Sequence, residues 1–578
     1  MSTKKFKLCI TMAGAVSAGA YTAGVLDYML ETLDLWEKAK SENRDIGIGN
    51  PGYDPSIPMH DVEIDVISGA SAGGITGTLT LLNLLDENYE PVNQHNPEGN
   101  NNRFYKSWVE MADDKDGMTL KKMLQLDDIK KREKPESLLN TKAIEAIANS
   151  SLDVNENATY PPYVSKSLDL ILTISNLRGI NFMIDFDGSD EKGDSGTVIT
   201  SHGGFFRYKI ANEKFKRGMP EEEDALYHVM DLKNLEDVVA LRDATLSTAA
   251  FPIGLKSREL KIFRTYLERY PKYLFGEERL NAISPILSED DIYHFNSIDG
   301  GLINNEPYGI ALKVLKEKNP EIEEENSESH AIVMVDPFPN QDHSAGPYEA
   351  KRDMISIAKG MFKALRNQVM FNQDGILDAL SLSDRTKFLI APTRKEKVDG
   401  KWQRAKNDLA SAPLSGFAGF LDRSFREHDF HLGRQNCQSF LRYYFAVKNE
   451  NIASRLGVEA SEEAKARFCF AVPPKKEDGE RFFPIIPDMR VIEAFHGTYD
   501  TTTYGPDAAL DYPKYPSFAS ENFEKAYKKL IKKRVSSIVK GLSGSGMLTF
   551  GFNLLFKNKS YKAIKKAIDG EMKDAGLS

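Results

Sequence analysis

The feature that most constrains this chain is an apolar run that ends in a glycine-flanked serine, in the segment IDVISGASAGGITG. Residues 64–67 predict a short buried strand, and the apolar run 79–85 predicts a helix after it. Between them, Gly69 and Gly73 lie two residues before and two residues after Ser71. Small residues at this spacing suit a sharp strand-to-helix turn that holds a serine in a strained conformation. The segment therefore predicts a nucleophile elbow at Ser71, with a tight turn and a solvated serine as the alternative.

A second motif supplies a candidate base for that serine. The segment IYHFNSIDGGLINNEP predicts a strand followed by Asp299, Gly300 and Gly301. Ligands of open α/β sheets bind at the carboxyl ends of the strands, where Asp299 would lie. A serine hydroxyl is a poor nucleophile until a base accepts its proton, and a carboxylate within hydrogen-bond reach can do so. A third stretch, ATLSTAAFP at residues 244–252, predicts a small-residue helix that packs beneath such a site.

Four segments together resemble the patatin-like phospholipase family: GAYTAGVL, GASAG, ATLSTAAFP and DGGLINNEP, in the family's order from about Lys5 to Val335. The resemblance implies a three-layer α/β fold with a mainly parallel central sheet. It also implies hydrolysis of acyl esters of phospholipids or related lipids by a Ser–Asp dyad, without a catalytic histidine, a metal or a cofactor.

Carried over by position, the resemblance makes Ser71 the nucleophile and Asp299 the base. The expected oxyanion hole consists of backbone N–H groups of Gly14, Ala15, Val16 and Ala72. The glycines expected to support the two motifs are Gly69, Gly73, Gly300 and Gly301.

The first loop departs from the family pattern of three glycines, a variable residue, a basic residue and a glycine. This chain reads Gly14-Ala15-Val16-Ser17-Ala18-Gly19. A β-branched valine disfavours positive φ, so we expect Val16 to avoid that region. Loss of one oxyanion donor typically lowers kcat by about 10²–10³. The altered loop motivates one alternative, a non-catalytic lipid-binding scaffold.

Another alternative is an α/β-hydrolase esterase with a Ser–His–Asp triad. His294 is the histidine nearest to Asp299 in sequence, but on an alternating strand it faces the opposite side. His428, Asp429, His431 and Cys437 suggest zinc, yet their spacing matches no finger or HExxH pattern. We expect Asp429 instead to cap a helix and Arg434 to pair with a carboxylate.

Two acidic clusters resemble pieces of a calcium loop, at residues 113–117 and 185–188. Both lack ligand positions that an EF-hand requires, so solvated loops are expected. A net charge of −10 argues against nucleic-acid binding. Three cysteines form no disulfide framework, which favours a reducing, cytoplasmic location. No apolar run approaches the roughly 20 residues of a membrane span.

The N-terminus has two mutually exclusive interpretations. KKFKLCITMAGAVSAGAY imitates a signal peptide, with a basic start, an apolar middle and small residues. The same residues predict the first strand over Lys5 to Met12 and the oxyanion loop after it, which is the interpretation we favour.

The domain organisation predicted from the sequence has three parts: an acyl hydrolase domain over 5–340, a mainly helical extension or lid over 341–520, and a basic tail over 521–578. His330 to Val335 is expected to be the last strand of the core. Met354 to Leu380 predicts a helix, and Phe417 to Tyr444 predicts a helix with a central break. The sequence leaves the oligomeric state open.

The basic tail carries 13 Lys and Arg against 5 Asp and Glu. Its helical pattern places Phe523, Tyr527, Ile531 and Val535 near one face, opposite many lysines. A basic amphipathic helix beside the apolar segment GSGMLTFGFNLLF fits peripheral membrane contact. The alternative is a helical hairpin that packs this apolar face on the enzyme.

Overall fold

The computed structural model describes residues 4–111, 119–130, 133–152, 160–185, 196–217, 226–271, 283–287, 290, 292–324, 327–339, 353, 357, 360, 386–472, 477–543 and 556–578. Both acidic clusters fall outside the described side chains, and the helix predicted over Met354 to Leu380 lies almost entirely outside the described residues.

Seventeen strands lie in these residues: β1 Phe6–Met12, β2 Val62–Gly69, β3 Val164–Asp185, β4 Gly196–Ile210, β5 His228–Met230, β6 Arg258–Phe263, β7 Ile283–Pro285, β8 Ile292–Asp299, β9 His330–Val335, β10 Lys387–Ile390, β11 Lys395–Val398, β12 Lys401–Arg404, β13 Ala446–Lys448, β14 Phe470–Val472, β15 Glu480–Pro484, β16 Val491–Glu493 and β17 Thr498–Tyr499.

The described helices of seven or more residues are α1 Gly19–Ile46, α2 Ala72–Leu84, α3 Lys142–Ser151, α4 Leu235–Thr248, α5 Tyr308–Lys318, α6 Arg423–Tyr443, α7 Glu462–Phe468, α8 Ser520–Ser543 and α9 Lys557–Asp574. Shorter helical segments include Arg103–Tyr105, Thr119–Met123, Arg264–Glu268, Glu321–Glu324, Ile452–Leu456 and Thr501–Tyr504.

The central sheet has the strand order β10-β9-β1-β2-β3-β4-β5. The pairs from β10 through β3 are parallel, whereas β4 runs antiparallel to β3. β1 lies between β2 and β9 and is almost entirely buried. Its continuous apolar run is typical of a strand that is covered on both faces of the sheet. Helices α2 and α5 pack against β1 and β2. The expected three-layer α/β fold and the predicted first strand are confirmed.

The two motif strands end at the same place on the long strand β3. β2 runs parallel to β3, and its last residue, Gly69, pairs with Leu172. β8 runs antiparallel to β3, and its last residue, Asp299, pairs with Ile174. Because β4 occupies the other edge of β3 at Ile174, β8 must share the edge with β2. The carboxyl ends of β2 and β8 therefore face each other.

The region beyond residue 340 continues the central sheet. β10 pairs with β9 in parallel, so the expectation that His330–Val335 is the last strand of the core was wrong. The sequence of Lys387–Ile390 does predict a strand, but it does not indicate that this strand joins the central sheet beside β9. The boundary at 340 falls between two neighbouring strands of one sheet. The remainder of the C-terminal region is mainly helical, as expected, with small antiparallel sheets.

Helix α6 binds this region to the core by crossing α1 at two glycines. A Cβ on Gly433 would lie 2.1 Å from the Tyr21 carbonyl oxygen, and one on Gly24 would lie 1.9 Å from that of Phe430. The two backbones therefore touch. The described helix over Arg423–Tyr443 is continuous, so the predicted central break is wrong.

Buried ion pairs accompany the crossing. Arg434 on α6 pairs with Asp27 and, at 2.7 Å, with Glu31 on α1, which confirms its predicted carboxylate partner. Asp429 does not cap a helix: it lies inside α6 and accepts backbone N–H groups of Ala410 and Ser411, at 2.8 and 3.0 Å.

The C-terminal tail forms a hairpin of α8 and α9 that packs on the rest of the protein. Phe523, Tyr527 and Ile531 are buried in a cluster with Phe425 of α6 and Met572 of α9. This is the packing alternative that the sequence left open, and GSGMLTFGFNLLF lies outside the described residues but for its last residue, Phe556. Among the described helices, none is both long enough and apolar enough to cross a bilayer.

Candidate active site

Ser71 occupies the predicted sharp turn between β2 and α2. Its φ is +53°, a left-handed conformation that L-residues rarely adopt outside functional turns. Its backbone N–H donates to the Thr248 hydroxyl at 3.0 Å, which ties the turn to α4. The serine is 6% exposed and directly precedes the first residue of α2. The hydroxyl thus lies at the positive end of a helix dipole.

Asp299 meets Ser71 at the end of β8. The Ser71 Oγ–H donates to Asp299 Oδ2 at 2.7 Å. The other carboxylate oxygen accepts the Gly301 N–H at 2.8 Å, and the Asp299 N–H donates to the Ala250 carbonyl at 2.9 Å. Asp299 is 5% exposed. The structure therefore brings together two side chains 228 residues apart in a short, buried hydrogen bond.

Close backbone approach explains the glycines of the motifs. A Cβ on Gly73 would lie 2.3 Å from the Met12 carbonyl oxygen, and one on Gly300 would lie 2.2 Å from that of Thr173. A Cβ on Gly14 would lie 2.8 Å from Ser71 Cβ, so the first loop packs directly against the serine. Gly69 and Gly301 are similarly enclosed.

The loop that is predicted to form the oxyanion hole, residues 14–19 (called the oxyanion loop below), differs from expectation at two residues. Val16 has a φ of +50°, so the expectation that its branched side chain would avoid this region was wrong. Gly14 donates its N–H to the Asn305 carbonyl at 3.3 Å, so that donor is already engaged. Within the described part of the chain, the N–H groups of Ala15, Val16 and Ala72 have no hydrogen-bond partner. These three donors therefore remain for a ligand.

An apolar cavity adjoins the Ser71 hydroxyl. It encloses about 1020 Å³ of empty space including its mouth. Its walls come mainly from α2, α3, α4 and the segments 107–111, 249–258 and 417–420. The apolar side chains among them include Ile75, Leu79, Trp108, Met111, Ile144, Ile147, Leu152, Phe251, Phe417 and Phe420. An apolar lining of this kind suits a hydrocarbon chain.

A wider and more polar cleft also borders Ser71. It holds about 2740 Å³ of space open to solvent, and its walls include Glu306, Lys406, Asp408, Glu571 and Asp574. The last two belong to the C-terminal helix α9, so the tail forms part of the cleft.

Two carboxyl groups on the cleft side have raised pKa values. Burial raises the pKa of Asp336, which follows β9, to about 7, and the nearby Glu306 contributes to the rise. Burial also raises the pKa of Glu306.

The histidines lie elsewhere. None of the described residues that line either cavity is a histidine. His294 is exposed and lies 3.5 Å from Glu259, on the side of β8 opposite Asp299, as predicted. In the zinc candidate set, His428 Nδ1 lies 2.8 Å from Asp429 Oδ1. No group of three or more metal-binding side chains occurs in the described ranges.

Three contacts around the site had no clear sequence signal. Thr248 lies in the stretch ATLSTAAFP, but nothing singled out its hydroxyl as the partner of the Ser71 N–H. Asn305, in the DGGLINNEP motif, holds Gly14 through its carbonyl. Residues 410–420 contact the oxyanion loop from about 400 positions away, a separation that no local pattern reports.

Comparison with known proteins agrees with this geometry. The sequence pattern of a family described as patatin-like phospholipase matches residues 10–312. A protein of Sinorhizobium fredii (strain NBRC 101917 / NGR234), named Uncharacterized protein y4iI, is 30% identical over 523 residues, which cover 84% of this chain and 71% of that protein. An alignment confined to residues 5–340 could not cover that share, so the likeness includes the C-terminal region. The chain belongs to the patatin-like phospholipase family, whose members hydrolyse lipid esters.

Proposed function

We propose that this protein is a serine acyl hydrolase that cleaves fatty-acyl esters of phospholipids or related lipids with a Ser71–Asp299 dyad. The observation that carries the proposal is the 2.7 Å hydrogen bond from the Ser71 hydroxyl to the Asp299 carboxylate beside an apolar cavity. A general base needs this reach to accept the serine proton.

The first half of the reaction forms an acyl-enzyme. Asp299 accepts the Ser71 proton while Oγ attacks the acyl carbonyl carbon. The N–H groups of Ala15, Val16 and Ala72 stabilise the oxyanion of the tetrahedral intermediate, because they point at charge that develops only during reaction. The intermediate collapses by breaking the ester C–O bond, and the Asp299 carboxyl group donates its proton to the leaving alcohol oxygen.

Water completes the cycle. Asp299 accepts a proton from water, whose oxygen attacks the acyl-enzyme carbonyl, and collapse releases the fatty acid as the proton returns to Ser71 Oγ. The fatty-acyl chain occupies the apolar cavity, since most of the surface that lines it is apolar. The alcohol part of the lipid faces the wider polar cleft, which is open to water.

The test compares matched serine variants on phospholipid vesicles. Ser71→Ala is expected to lower hydrolysis below detection and to leave the melting temperature near that of the wild type. Ser247→Ala is the control, because Ser247 is a buried serine of α4 whose hydroxyl has no partner among described residues. It should retain activity. Undiminished turnover by folded Ser71→Ala would refute the proposal.

A histidine variant separates the dyad from a triad. His294→Ala is expected to retain wild-type turnover, because this exposed side chain faces away from Asp299. A large loss in the folded variant would favour the triad alternative.

We further propose that the hairpin α8–α9 brings the enzyme to anionic membranes. Its apolar face is buried, whereas lysines at 525, 529, 533, 540, 559, 562 and 566 are exposed. Exposed lysines near an anionic surface contribute about 1 kcal/mol each, and salt screens them. Flotation with vesicles containing phosphatidylserine should show binding that disappears at high salt and in a variant with Lys525, Lys529 and Lys533 changed to Gln. Equal binding to neutral vesicles would contradict this mode.

A further inference from the structure

The oxyanion loop carries a conformation that its own residues do not favour. Val16 has a positive φ, which costs of order 1–3 kcal/mol for a non-glycine residue and persists only where the surroundings impose it. The loop belongs to the N-terminal segment, but a distant segment, the 410–420 loop, covers it. The contacts between the two identify what imposes the conformation.

Ser17 makes the central contacts. Its side-chain hydroxyl donates to the Gly416 carbonyl and accepts the Gly419 N–H at 3.0 Å. Its backbone N–H also donates to the Gly416 carbonyl, at 3.1 Å. Ser17 is fully buried. One side chain therefore fastens the residue after Val16 to two points of the 410–420 loop.

The 410–420 loop and the oxyanion loop also pack closely against each other. A Cβ on Gly416 would lie 3.2 Å from the Ala15 carbonyl oxygen and 3.3 Å from Val16 Cβ. A Cβ on Gly419 would lie 2.5 Å from Ser17 Oγ. The 410–420 loop therefore fills the space that the oxyanion loop would need in order to relax.

The 410–420 loop is itself strained and firmly anchored. Leu414, Ser415 and Gly416 have consecutive positive φ values of 59°, 57° and 88°. Helix α6 anchors both ends of the loop. Asp429 accepts the N–H groups of Ala410 and Ser411, and Arg426 donates to the Gly419 carbonyl at 2.5 Å. The 410–420 loop is thus fixed to α6 near both of its ends, and it in turn contacts the oxyanion loop.

We infer that Ser17 is a positioning residue, through which the 410–420 loop holds the N–H groups of Ala15 and Val16 where the oxyanion develops. The C-terminal region is then a part of the active site and not an appended lid. The inference rests on the proposed acyl hydrolase function, because it assigns a role in that reaction.

The test measures kcat and KM separately on a soluble p-nitrophenyl ester. Ser17→Ala is expected to lower kcat about 10- to 100-fold, less than the 10²–10³ lost when one donor is removed outright. KM should stay within about twofold, because a donor that acts in the transition state lowers kcat and kcat/KM together.

Ser411→Ala is the matched control. Ser411 is also fully buried beside Gly419, but its hydroxyl has no hydrogen-bond partner in the described structure. It should keep the wild-type kcat. Thermal unfolding of both variants verifies that the folds are intact.

The possible outcomes distinguish failure of the inference about Ser17 from failure of the proposed function. An unchanged kcat in folded Ser17→Ala, or a raised KM at unchanged kcat, would overturn the inference while the proposed function stands. An equal loss of kcat in both variants would also overturn it. If Ser17→Ala fails to fold, Gly416→Ala decides by the same criteria, since its Cβ presses on Ala15 and Val16 without removing a hydrogen-bonding group. An inactive wild type would contradict the proposed function itself.

Discussion

Two facing loops hold a residue with positive φ, and they maintain it in different ways. In the elbow, residues 69–73, Ser71 is held by the strand before it, the helix after it and the Thr248 hydroxyl. In the oxyanion loop, Val16 is held by residues 410–420, which are themselves carried by α6. Strain in the first loop is maintained mostly by near neighbours in sequence, and strain in the second by a remote segment. The proposed Ser71–Asp299 dyad is therefore predictable from short motifs, whereas the conformation of the proposed oxyanion hole is not.

The largest loss of kcat is expected from a change at Asp299, the partner of Ser71 in the elbow. Asp299→Asn removes the proton acceptor but keeps the shape, so kcat should fall about 10²–10⁴-fold, the usual contribution of a general base. Steady-state kinetics on a phospholipid substrate measures it, with melting temperature as the control. A loss below about tenfold in a folded variant would mean that Asp299 is not the base.

The next prediction concerns the pH dependence of stability through Asp336, which directly follows β9. A carboxyl group with a pKa of about 7 in the folded protein keeps the proton that the unfolded chain releases above about pH 4. The contribution of Asp336 to the free energy of unfolding should therefore fall as the pH rises from about 4 to 7. A pKa difference of about three between the folded and unfolded states corresponds to at most about 4 kcal/mol of the free energy of unfolding.

Asp336→Asn cannot titrate, and its amide oxygen can still accept the Phe338 N–H that Asp336 Oδ1 accepts at 2.8 Å. Urea unfolding at several pH values should show the variant gaining stability over the wild type between pH 4 and 7. A constant difference across this range would contradict the raised pKa.

A smaller effect tests whether the C-terminal region reaches the site through α6. Gly433→Ala places a Cβ 2.1 Å from the Tyr21 carbonyl oxygen, so α6 must move away from α1. Overpacking of this kind costs about 1–3 kcal/mol. Chemical denaturation should show that loss together with a lowered kcat. If the variant lost stability but fully retained kcat, the oxyanion loop would not depend on the position of α6.

The smallest effect compares the strain of the two loops directly. Val16→Gly relieves the positive φ and should raise the free energy of unfolding by about 1 kcal/mol, since glycine adopts this region without strain but loses more entropy on folding. Ser71→Gly is the corresponding change in the elbow. Equilibrium unfolding of both variants measures each strain, and a destabilised Val16→Gly would show that the valine side chain contributes more than the strain costs.

The sequence predicted the parts of the fold that depend on local pattern. The buried run of β1, the elbow at Ser71 and the Asp299-Gly300-Gly301 turn each follow from residue type and spacing within a few positions. Their meeting was implied by the family resemblance and not by local pattern, and the structure accounts for it because β2 and β8 end opposite Leu172 and Ile174 of β3.

The rest depended on contacts between distant segments. The positive φ of Val16 contradicts its intrinsic preference, and it occurs where the distant 410–420 loop packs against Ala15, Val16 and Ser17. The pairing of β10 with β9 and the burial of the tail's apolar face likewise depend on surfaces that are complete only after folding. Local propensity yields to such tertiary packing.

The proposed reaction requires that Ser71 attack the acyl group. Treatment of the active enzyme with a fluorophosphonate, followed by proteolysis and tandem mass spectrometry, locates the nucleophile covalently. We predict one adduct, on Ser71, that forms in step with loss of esterase activity and is absent from Ser71→Ala. An inactivating adduct on any other residue, or full inactivation of the enzyme with Ser71 unmodified, would contradict the account.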